Sequence, residues 1–583
     1  MDVTTLRAVL AELRPQLLPS RFEKAQQPSA HNLQLGFRAL DGRHWLELSW
    51  WADAPRLLPI DPPARRGEGS TLAQQLQHGL GGLALVAIDQ HGWERVVELG
   101  FAPRPGEAIC RTLVVELMGR HSNLFLLDGQ RRVVALGRQV KPNESRLRPI
   151  ASGDTYSPPP PLQADPPDAG EALWHWRRRL QLLPLPLGKA LLQSYQGISP
   201  ALALQLAGDH PDTSTALLKL PVEQLSEAQW SALWVAWQQW LGDLAADRFG
   251  FVTGGATAYR CWGAELAGPV GRPLAQLYER QLTAQAFQLR HDQLQRRLFT
   301  ARDRQSAQRA EQQALLEQAA GCDQLRRQAD ALLCLADPSR EQVAEAQALY
   351  KKARRLQRSS AVITTLLERH DQQLERIEAS LAFLELHRPE ETTPHALRGA
   401  LEDLAALEDD VEELLSVGGR ERDKGRSKAR ARRQPLPCQP LEFLTAGGLR
   451  VQVGRNHRQN EWISLRQARR GDLWFHAQEC PGSHVMLKSS EAPATDADLQ
   501  AAADLAARFS RARGNARVPV VMVPSDQLQR IAGVGPGTVR HRGGEVLWGD
   551  PGRGAILCSR SLGSAPAPAP CAIPPSPHLP HRS

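Results

Sequence analysis

Short apolar runs recur between turns from Ala25 to Val140: LQLGFRA, HWLELSW, LALVAID, RVVELGF, TLVVELMG, SNLFLLDG and RRVVALG. Val96, Leu99 and Phe101 stand among charged neighbours, and Asp41-Gly42 and Asp128-Gly129 are hairpin signals. This pattern predicts a mixed or antiparallel sheet with flanking helices. A proline-rich connector, TYSPPPPLQADPPD from Thr155 to Asp168, closes the region, since proline removes backbone donors and stiffens the chain. Between about 170 and 250 the runs KALLQSYQGISPALALQLAG and WSALWVAWQQWLGDLA predict short helices. Trp230, Trp234, Trp237 and Trp240 follow three- and four-residue steps. That is helical spacing, and it points to a packed core rather than a cofactor site.

From about 270 the chain turns to Gln, Arg, Glu, Leu and Ala. Ile363, Leu367, Leu374, Ile377, Leu381 and Leu384 form a heptad seam interrupted by His370, and Asp337-Pro338 stops the helix between two long arms. An antiparallel coiled-coil hairpin is expected, a lever rising about 1.5 Å per residue; a dimerisation coiled coil fits the same pattern. An acidic helix follows, holding Glu402, Asp403, Glu408, Asp409, Asp410, Glu412 and Glu413. Next comes ERDKGRSKARARRQP, Glu421 to Pro435, with seven basic and two acidic residues, which reads as a basic linker able to meet phosphates. Leu441 to about Leu562 is again strand-rich, with DADLQAAADLAARFSRARG as an inserted helix, and the Pro/Ala-rich end is expected to be disordered.

Composition narrows the function classes. A chain of 583 residues with 42% hydrophobic residues divides into several domains. The net charge of +8, from 71 basic and 63 acidic residues, leans weakly toward a polyanionic partner. Eight cysteines show neither CxxC pairing nor zinc spacing, so a reduced, cytoplasmic chain is expected. The amino terminus lacks the continuous apolar core of a signal peptide, and no window reads as a membrane span.

The densest candidate chemistry lies in GDLWFHAQECPGSHVMLK, Gly471 to Lys488. Strand alternation puts Asp472, Trp474 and His476 on one side and Leu473, Phe475 and Ala477 on the other. Pro481-Gly482 then turns the chain, so that Ser483, His484 and Lys488 approach the same rim. The histidines lack a matched third ligand for a metal, and no nucleophile with a positioned base is evident. RNA recognition fits better: Trp474 stacking on a base, His476 and His484 donating hydrogen bonds, and Arg455, His457, Arg458 and Arg466 meeting phosphates. Core packing of Trp474, with the histidines as local partners, is the competing reading. GVGPG within Ile531–Arg540 resembles a helix-hairpin-helix loop, but the flanking alternation favours a loop between strands.

The same segment resembles the carboxy-terminal RNA-binding domain of the NFACT family, of bacterial RqcH type, formerly labelled fibronectin-binding. ELMGRHSNLFLLDG, RLRPIASGDTYSPPP, YQGISPALA, ALYKKARRLQR and AAADLAARFSRARG agree in order. The resemblance implies a multidomain α+β protein: an NFACT-N domain of mixed α/β type over 1–168 and a helical helix-hairpin-helix region over 169–265. It then implies an antiparallel coiled coil with the acidic helix over 266–418, the linker over 419–439, an α+β NFACT-R domain over 440–562 and a tail over 563–583. It further implies a ribosome quality control factor that binds large subunits obstructed by peptidyl-tRNA and recruits tRNA, alanine tRNA in bacteria. Peptide-bond chemistry would fall to the ribosome, with no catalytic residue, metal or cofactor in the chain. Glu94, Arg95, Arg120, His121, Ser122 and Asn123 would contact tRNA. Asp472, Trp474, His476, Ser483, His484 and Lys488 would contact ribosomal RNA. One departure stands out: where the family has Asp-Arg after an aromatic residue, this chain has Trp93, Glu94 and Arg95, with a carboxylate one methylene longer. A surface adhesin and a metal-dependent nucleic-acid-processing enzyme are the alternatives; the first needs export, the second clustered carboxylates or a general base.

Overall fold

The structure, a computed structural model, describes residues 1–64, 70–263, 268–319, 321–335, 338–386, 388, 393–416, 439–531 and 536–562. The basic stretch at 421–435, the tail from 563, Asp337 and residues 532–535 of the glycine-rich stretch lie outside the described residues. The chain forms two compact units, Met1–Glu279 and Arg280–Ser583.

The first unit opens with α1 (Val3–Leu17). Asp2 caps it by accepting from the Thr5 N–H at 2.8 Å, and Leu6, Val9, Leu10, Leu13 and Leu17 face the core at helical spacing. Nine strands follow: β1 (Ser20–Ser29), β2 (Asn32–Arg38), β3 (Arg43–Ser49), β4 (Arg56–Ile60), β5 (Ala84–Gln90), β6 (Val96–Ala102), β7 (Arg111–Glu116), β8 (Asn123–Asp128) and β9 (Val133–Leu136). Their order is β4-β3-β2-β1-β5-β6-β7-β8-β9, antiparallel throughout, so the sheet is not mixed. β1 and β4 escape the hydrophobic pattern because β1 is dominated by polar residues and β4 is five residues long with an internal proline. Helix α2 (Thr71–Leu80) joins α1 on the sheet, and Leu35, Phe37, Leu99 and Phe101 fill the core beneath them.

Helices α3 (Leu173–Leu180), α4 (Leu187–Ser194), α5 (Pro200–Ala207), α6 (Pro211–Lys219) and α7 (Glu227–Ala245) surround a second core. A capping box between Ser226 and Gln229 starts α7. Trp230, Trp237 and Trp240 are buried there with Trp176 and Tyr195, while Trp234 is half-buried. A small hairpin, β10 (Val252–Thr253) and β11 (Tyr259–Arg260), completes this part.

Four helices follow: α8 (Gly271–Ala319), α9 (Cys322–Leu333), α10 (Arg340–Leu386) and α11 (Pro394–Ser416). His370 meets Gln305 at 2.7 Å, Asp371 meets Arg309 and Gln357 meets Arg326, so α10 runs antiparallel to α8 and α9. From the heptad seam, Ile377, Leu381 and Leu384 pack against Phe287, Leu294 and Leu298 of α8 and against Leu404, Leu407 and Val411 of α11. No helix among the described residues is long and apolar enough to cross a membrane.

The carboxy-terminal sheet is built from β12 (Leu441–Leu444), β13 (Arg450–Val453), β14 (Leu473–Ala477), β15 (Val485–Leu487), β16 (Val518–Pro524) and β19 (Glu545–Gly549), in the order β12-β13-β15-β14-β16-β19. A separate hairpin pairs β17 (Leu528–Arg530) with β18 (Val539–His541). The short helix α12 (His457–Glu461) precedes a π-helical turn, Trp462–Arg466. Helix α13 (Asp496–Arg508), with a Thr495/Asp498 capping box, lays Ala502, Ala503, Leu505 and Ala506 against Val451, Phe475 and Val520. Helix α14 (Pro551–Leu562) packs beside it.

Candidate nucleic-acid interface

At one end of the first sheet, β6 begins, β7 ends and β8 begins. Val96 pairs with Glu116, Glu116 pairs with Asn123, and the Leu117 N–H donates to the Arg95 carbonyl at 2.9 Å. Glu94 and Arg95, and the 3-10 turn Gly119–His121 with Ser122 and Asn123, therefore share this end. The turn before β6 is pinned from several sides. Arg7 lies 4.3 Å over the Trp93 ring and donates to the Gly92 carbonyl, and Trp240 packs on the same indole with centroids 5.6 Å apart. Gly197, at φ +75°, passes so close that a Cβ would lie 2.7 Å from Trp93 Cε3, which only glycine permits. Burial raises the Glu94 carboxyl above its ordinary value; the Leu162 backbone N–H and the Arg95 charge oppose that less strongly.

The residues of the HSN segment separate by role. Arg120 and His121 are exposed, with Arg120 Nε 3.0 Å from His121 Nε2. Ser122 and Asn123 are buried and shape the turn instead of facing a ligand. Ser122 Oγ accepts from the Met118 N–H at 2.8 Å, Asn123 Nδ2 donates to the Arg138 carbonyl at 2.7 Å, and Asn123 Oδ1 accepts from the Leu124 and Arg138 N–H groups. Arg138 thereby joins the exposed basic rim. Its position just after β9 carries no local signal, so the sequence reading missed it. Below the rim, buried Glu116 takes a bidentate pair from Arg148 at 2.8 and 2.6 Å and a hydrogen bond from the Tyr156 hydroxyl at 2.8 Å. The RLRPIASGDTY stretch is thus tied to the end of β7.

In the second unit, β14 alternates as its sequence requires, yet most of the candidate face is covered. Ile463 of the π-helical turn and Leu528 of β17 pack onto Trp474, which is 3% exposed, so Trp474 is closed to a base. The Trp474 indole stacks on His476 at 5.5 Å and 7° and meets His484 edge-on at 5.1 Å. Ser464 Oγ lies 2.8 Å from His484 Nδ1, and the His484 N–H donates to Asn460 Oδ1. Desolvation pushes His476 down to about 4 and His484 well below its ordinary range, which keeps both imidazoles neutral. Ser483 is buried, and its N–H donates to the Phe509 carbonyl. Lys488 does not reach a rim: its Nζ sits 3.0 Å from Asp472 Oδ2, with both side chains buried. Burial pushes the Asp472 carboxyl up, but hydrogen bonds from Ser490, the Arg469 N–H and Lys488 outweigh it and leave the group below its ordinary value. Of these six residues only His476 keeps partial exposure, and most of its ring is covered.

Three of the side chains assigned to phosphates are also occupied. Arg455 pairs with Asp403, Arg458 with Asp410 at 3.0 Å and Glu413 at 2.7 Å, and His457 is buried against Phe383 with Nε2 3.1 Å from Ser380 Oγ. The acidic helix α11 neutralises both arginines, which no local window could reveal. Arg466, Arg469 and Arg470 remain exposed, as does Trp462 in part. Among the described residues no group of His, Cys, Asp and Glu is placed to hold a metal ion.

Residues 2–342 match the family described as NFACT N-terminal and middle domains, and residues 440–543 match the NFACT protein RNA binding domain. The chain is 26% identical to the Rqc2 homolog RqcH of Streptococcus suis, over 93% of this chain and 96% of that protein. It is 23% identical to the Rqc2 homolog RqcH of Bacillus subtilis, over 94% and 97% respectively. A solved structure of the C-terminal part of the fibronectin/fibrinogen-binding protein from Streptococcus suis is similar at 24% identity, over 47% of this chain and 98% of that one, with a TM-score of 0.38. With more than half of its length matched by the first of these domain descriptions, the chain belongs to the NFACT family.

Proposed function

We propose that this protein binds large ribosomal subunits obstructed by peptidyl-tRNA in the cytoplasm and recruits alanine-charged tRNA for template-free, carboxy-terminal alanine tailing of the stalled nascent chain. Family membership supports the general role in ribosome-associated quality control, that of an RNA-binding factor without catalytic chemistry of its own. The observation that carries the tRNA assignment is the shared end of the first sheet, where Glu94 and Arg95 adjoin the exposed Arg120, His121 and Arg138. Cations on a rigid turn suit phosphate contacts, and the longer Glu94 carboxylate keeps the charge pair of the family's Asp-Arg. In this reading α3–α7 act as the helix-hairpin-helix region, and α8–α10 act as a coiled-coil lever reaching ribosomal features. Ser122, Asn123, Asp472, Trp474, Ser483, His484 and Lys488 serve by holding the two RNA-facing surfaces in shape, while His476 keeps partial access.

The test combines sequencing of RNA crosslinked to the protein in cells with mass spectrometry of tails on a stalled reporter. Large-subunit RNA, an alanine tRNA and alanine-rich tails are expected. Large-subunit RNA without tRNA or tails would remove the tailing role; recovery of neither RNA would sink the quality-control reading. Glu94→Ala with Arg95→Ala should abolish charged-tRNA binding, and unchanged binding would refute that residue assignment.

A further inference from the structure

The outer face of the carboxy-terminal sheet is open at one end. Strand register arranges its outward side chains in rows. The Gln478 N–H donates to the Pro519 carbonyl at 2.8 Å, and Pro519 lies opposite Trp548. In the next row His476 lies opposite Val521, which lies opposite Val546. Where Ile463 and Leu528 cover Trp474 the face is closed; at the other end Trp548 is 56% exposed and Val546 48% exposed. The core does not call for this indole, since β19 reaches the core through Leu547 on its other face. Its backbone is nonetheless held firmly: the Trp548 carbonyl accepts from Gln500 Nε2 at 2.9 Å, and the Asp550 N–H donates to Asp504 Oδ1 at 2.8 Å. An exposed aromatic ring on a fixed strand is a recognition feature more than a packing one. Strand β19 also lies beyond residue 543, where the match to the RNA-binding domain ends.

Charge identifies the partner. Residues 504–550 contain seven arginines against Asp504, Asp526, Glu545 and Asp550, and two of the seven are already paired, Arg511 with Glu378 and Arg530 with Glu461. Arg517, Arg540 and Arg542 are exposed and make no ion pair among the described residues. Arg517 precedes β16 in phase with Pro519 and so belongs to the Trp548 face, whereas Glu545, opposite Met522, belongs to the other. An apolar protein surface would also meet Trp548 and Val546, but it would leave the exposed Arg517 on the same face without a counter-charge. A polyanion carrying flat rings satisfies both features.

We propose that the open end of this sheet is a stacking platform for an unpaired RNA base, with Trp548 supplying the ring and Arg517 a backbone phosphate contact. This rests on the RNA-binding reading above and adds a site to it. Stacking tolerates any base because each has a π face, and it selects single strands because duplex bases already stack on one another.

The test uses the full-length protein with fluorescein-labelled oligouridine and an RNA duplex of equal length, read by anisotropy, with large-subunit co-sedimentation in parallel. Trp548→Ala should weaken oligouridine binding about tenfold while duplex binding stays constant, and Trp548→Phe should retain most of the affinity. Arg517→Ala should lower the slope of log affinity against log salt by about one. Unchanged melting temperature for Trp548→Phe and Arg517→Ala guards against misfolding. Equal oligouridine affinity of Trp548→Ala and the unaltered protein overturns the platform even when subunits co-sediment. So does loss of a ribosomal protein contact with oligouridine affinity unchanged. Trp548-dependent oligouridine binding without subunit co-sedimentation supports the platform and removes the ribosomal reading instead.

Discussion

Replacing Lys488 by Met asks whether the segment Gly471–Lys488 is held together by its own buried charges. The Asp472 and Lys488 side chains are 0% and 4% exposed. Methionine keeps much of the lysine stem but removes the ammonium, so Asp472 Oδ2 loses a partner at 3.0 Å and the Gln467 carbonyl loses a donor at 3.1 Å. Asp472 keeps the Arg469 N–H at 2.8 Å and the Ser490 hydroxyl at 2.6 Å. Removing one member of a buried pair costs roughly 3–5 kcal/mol, and the retained hydrogen bonds place this case near the lower end, at about 3 kcal/mol. A chain of several cooperative units has no single unfolding free energy, so the assay is amide hydrogen exchange of peptides covering 467–490. At 1.36 kcal/mol per decade, a loss of about 3 kcal/mol speeds exchange by about 150-fold. An increase under about fivefold, the size expected of a solvent-exposed pair, would refute the reasoning. Acid gives a second reading of the same pair. The folded-state value of Asp472 lies below its ordinary 3.8, so its stabilising effect is complete above that value and is lost as pH falls through the lower folded one. Lys488→Met should shrink that acid-induced loss.

Other predictions concern single groups. Asp410, pushed up to about 6 by burial despite Arg458, binds a proton more readily folded than unfolded, so its effect favours folding at low pH and is lost as pH rises from 3.8 through about 6. Melting at pH 5 and 7 should show Asp410→Asn gaining on the unaltered protein at the higher pH, by about 1 kcal/mol. His476 behaves oppositely: its folded value of about 4 lies below 6.5, so stability is full above 6.5 and is lost as pH falls toward 4. His476→Gln should flatten that acid limb in pH-dependent melts. Asn123→Ala should cost about 1–3 kcal/mol through its lost buried hydrogen bonds, read by urea unfolding of the first unit, and weaken tRNA binding only as a consequence. Arg120→Ala should weaken tRNA binding in filter assays with no change in stability, because its side chain is exposed.

Most of the architecture was legible because it is written in local periodicity. Strand runs with hairpin signals marked seven of the nine amino-terminal strands, tryptophans at helical steps marked α7, and the heptad seam marked α10. Polar β1 and short β4 stayed hidden because their place in the sheet comes from neighbouring strands. The candidate residues divided differently. Alternation in β14 correctly put Trp474 and His476 on one face, but it cannot say what lies over that face.

The sequence alone determined which side chains share a strand face, which helices carry an apolar stripe, and which family the motifs resemble, since each is a property of neighbours along the chain. Only the tertiary structure decided exposure and pairing. It closed Ile463 and Leu528 over Trp474, drew Lys488 onto Asp472, spent Arg455 and Arg458 on the carboxylates of α11, and left Trp548 open at the edge. The physical reason is distance along the chain: desolvation and charge neutralisation come from groups tens of residues away, and no local pattern encodes which of them will arrive.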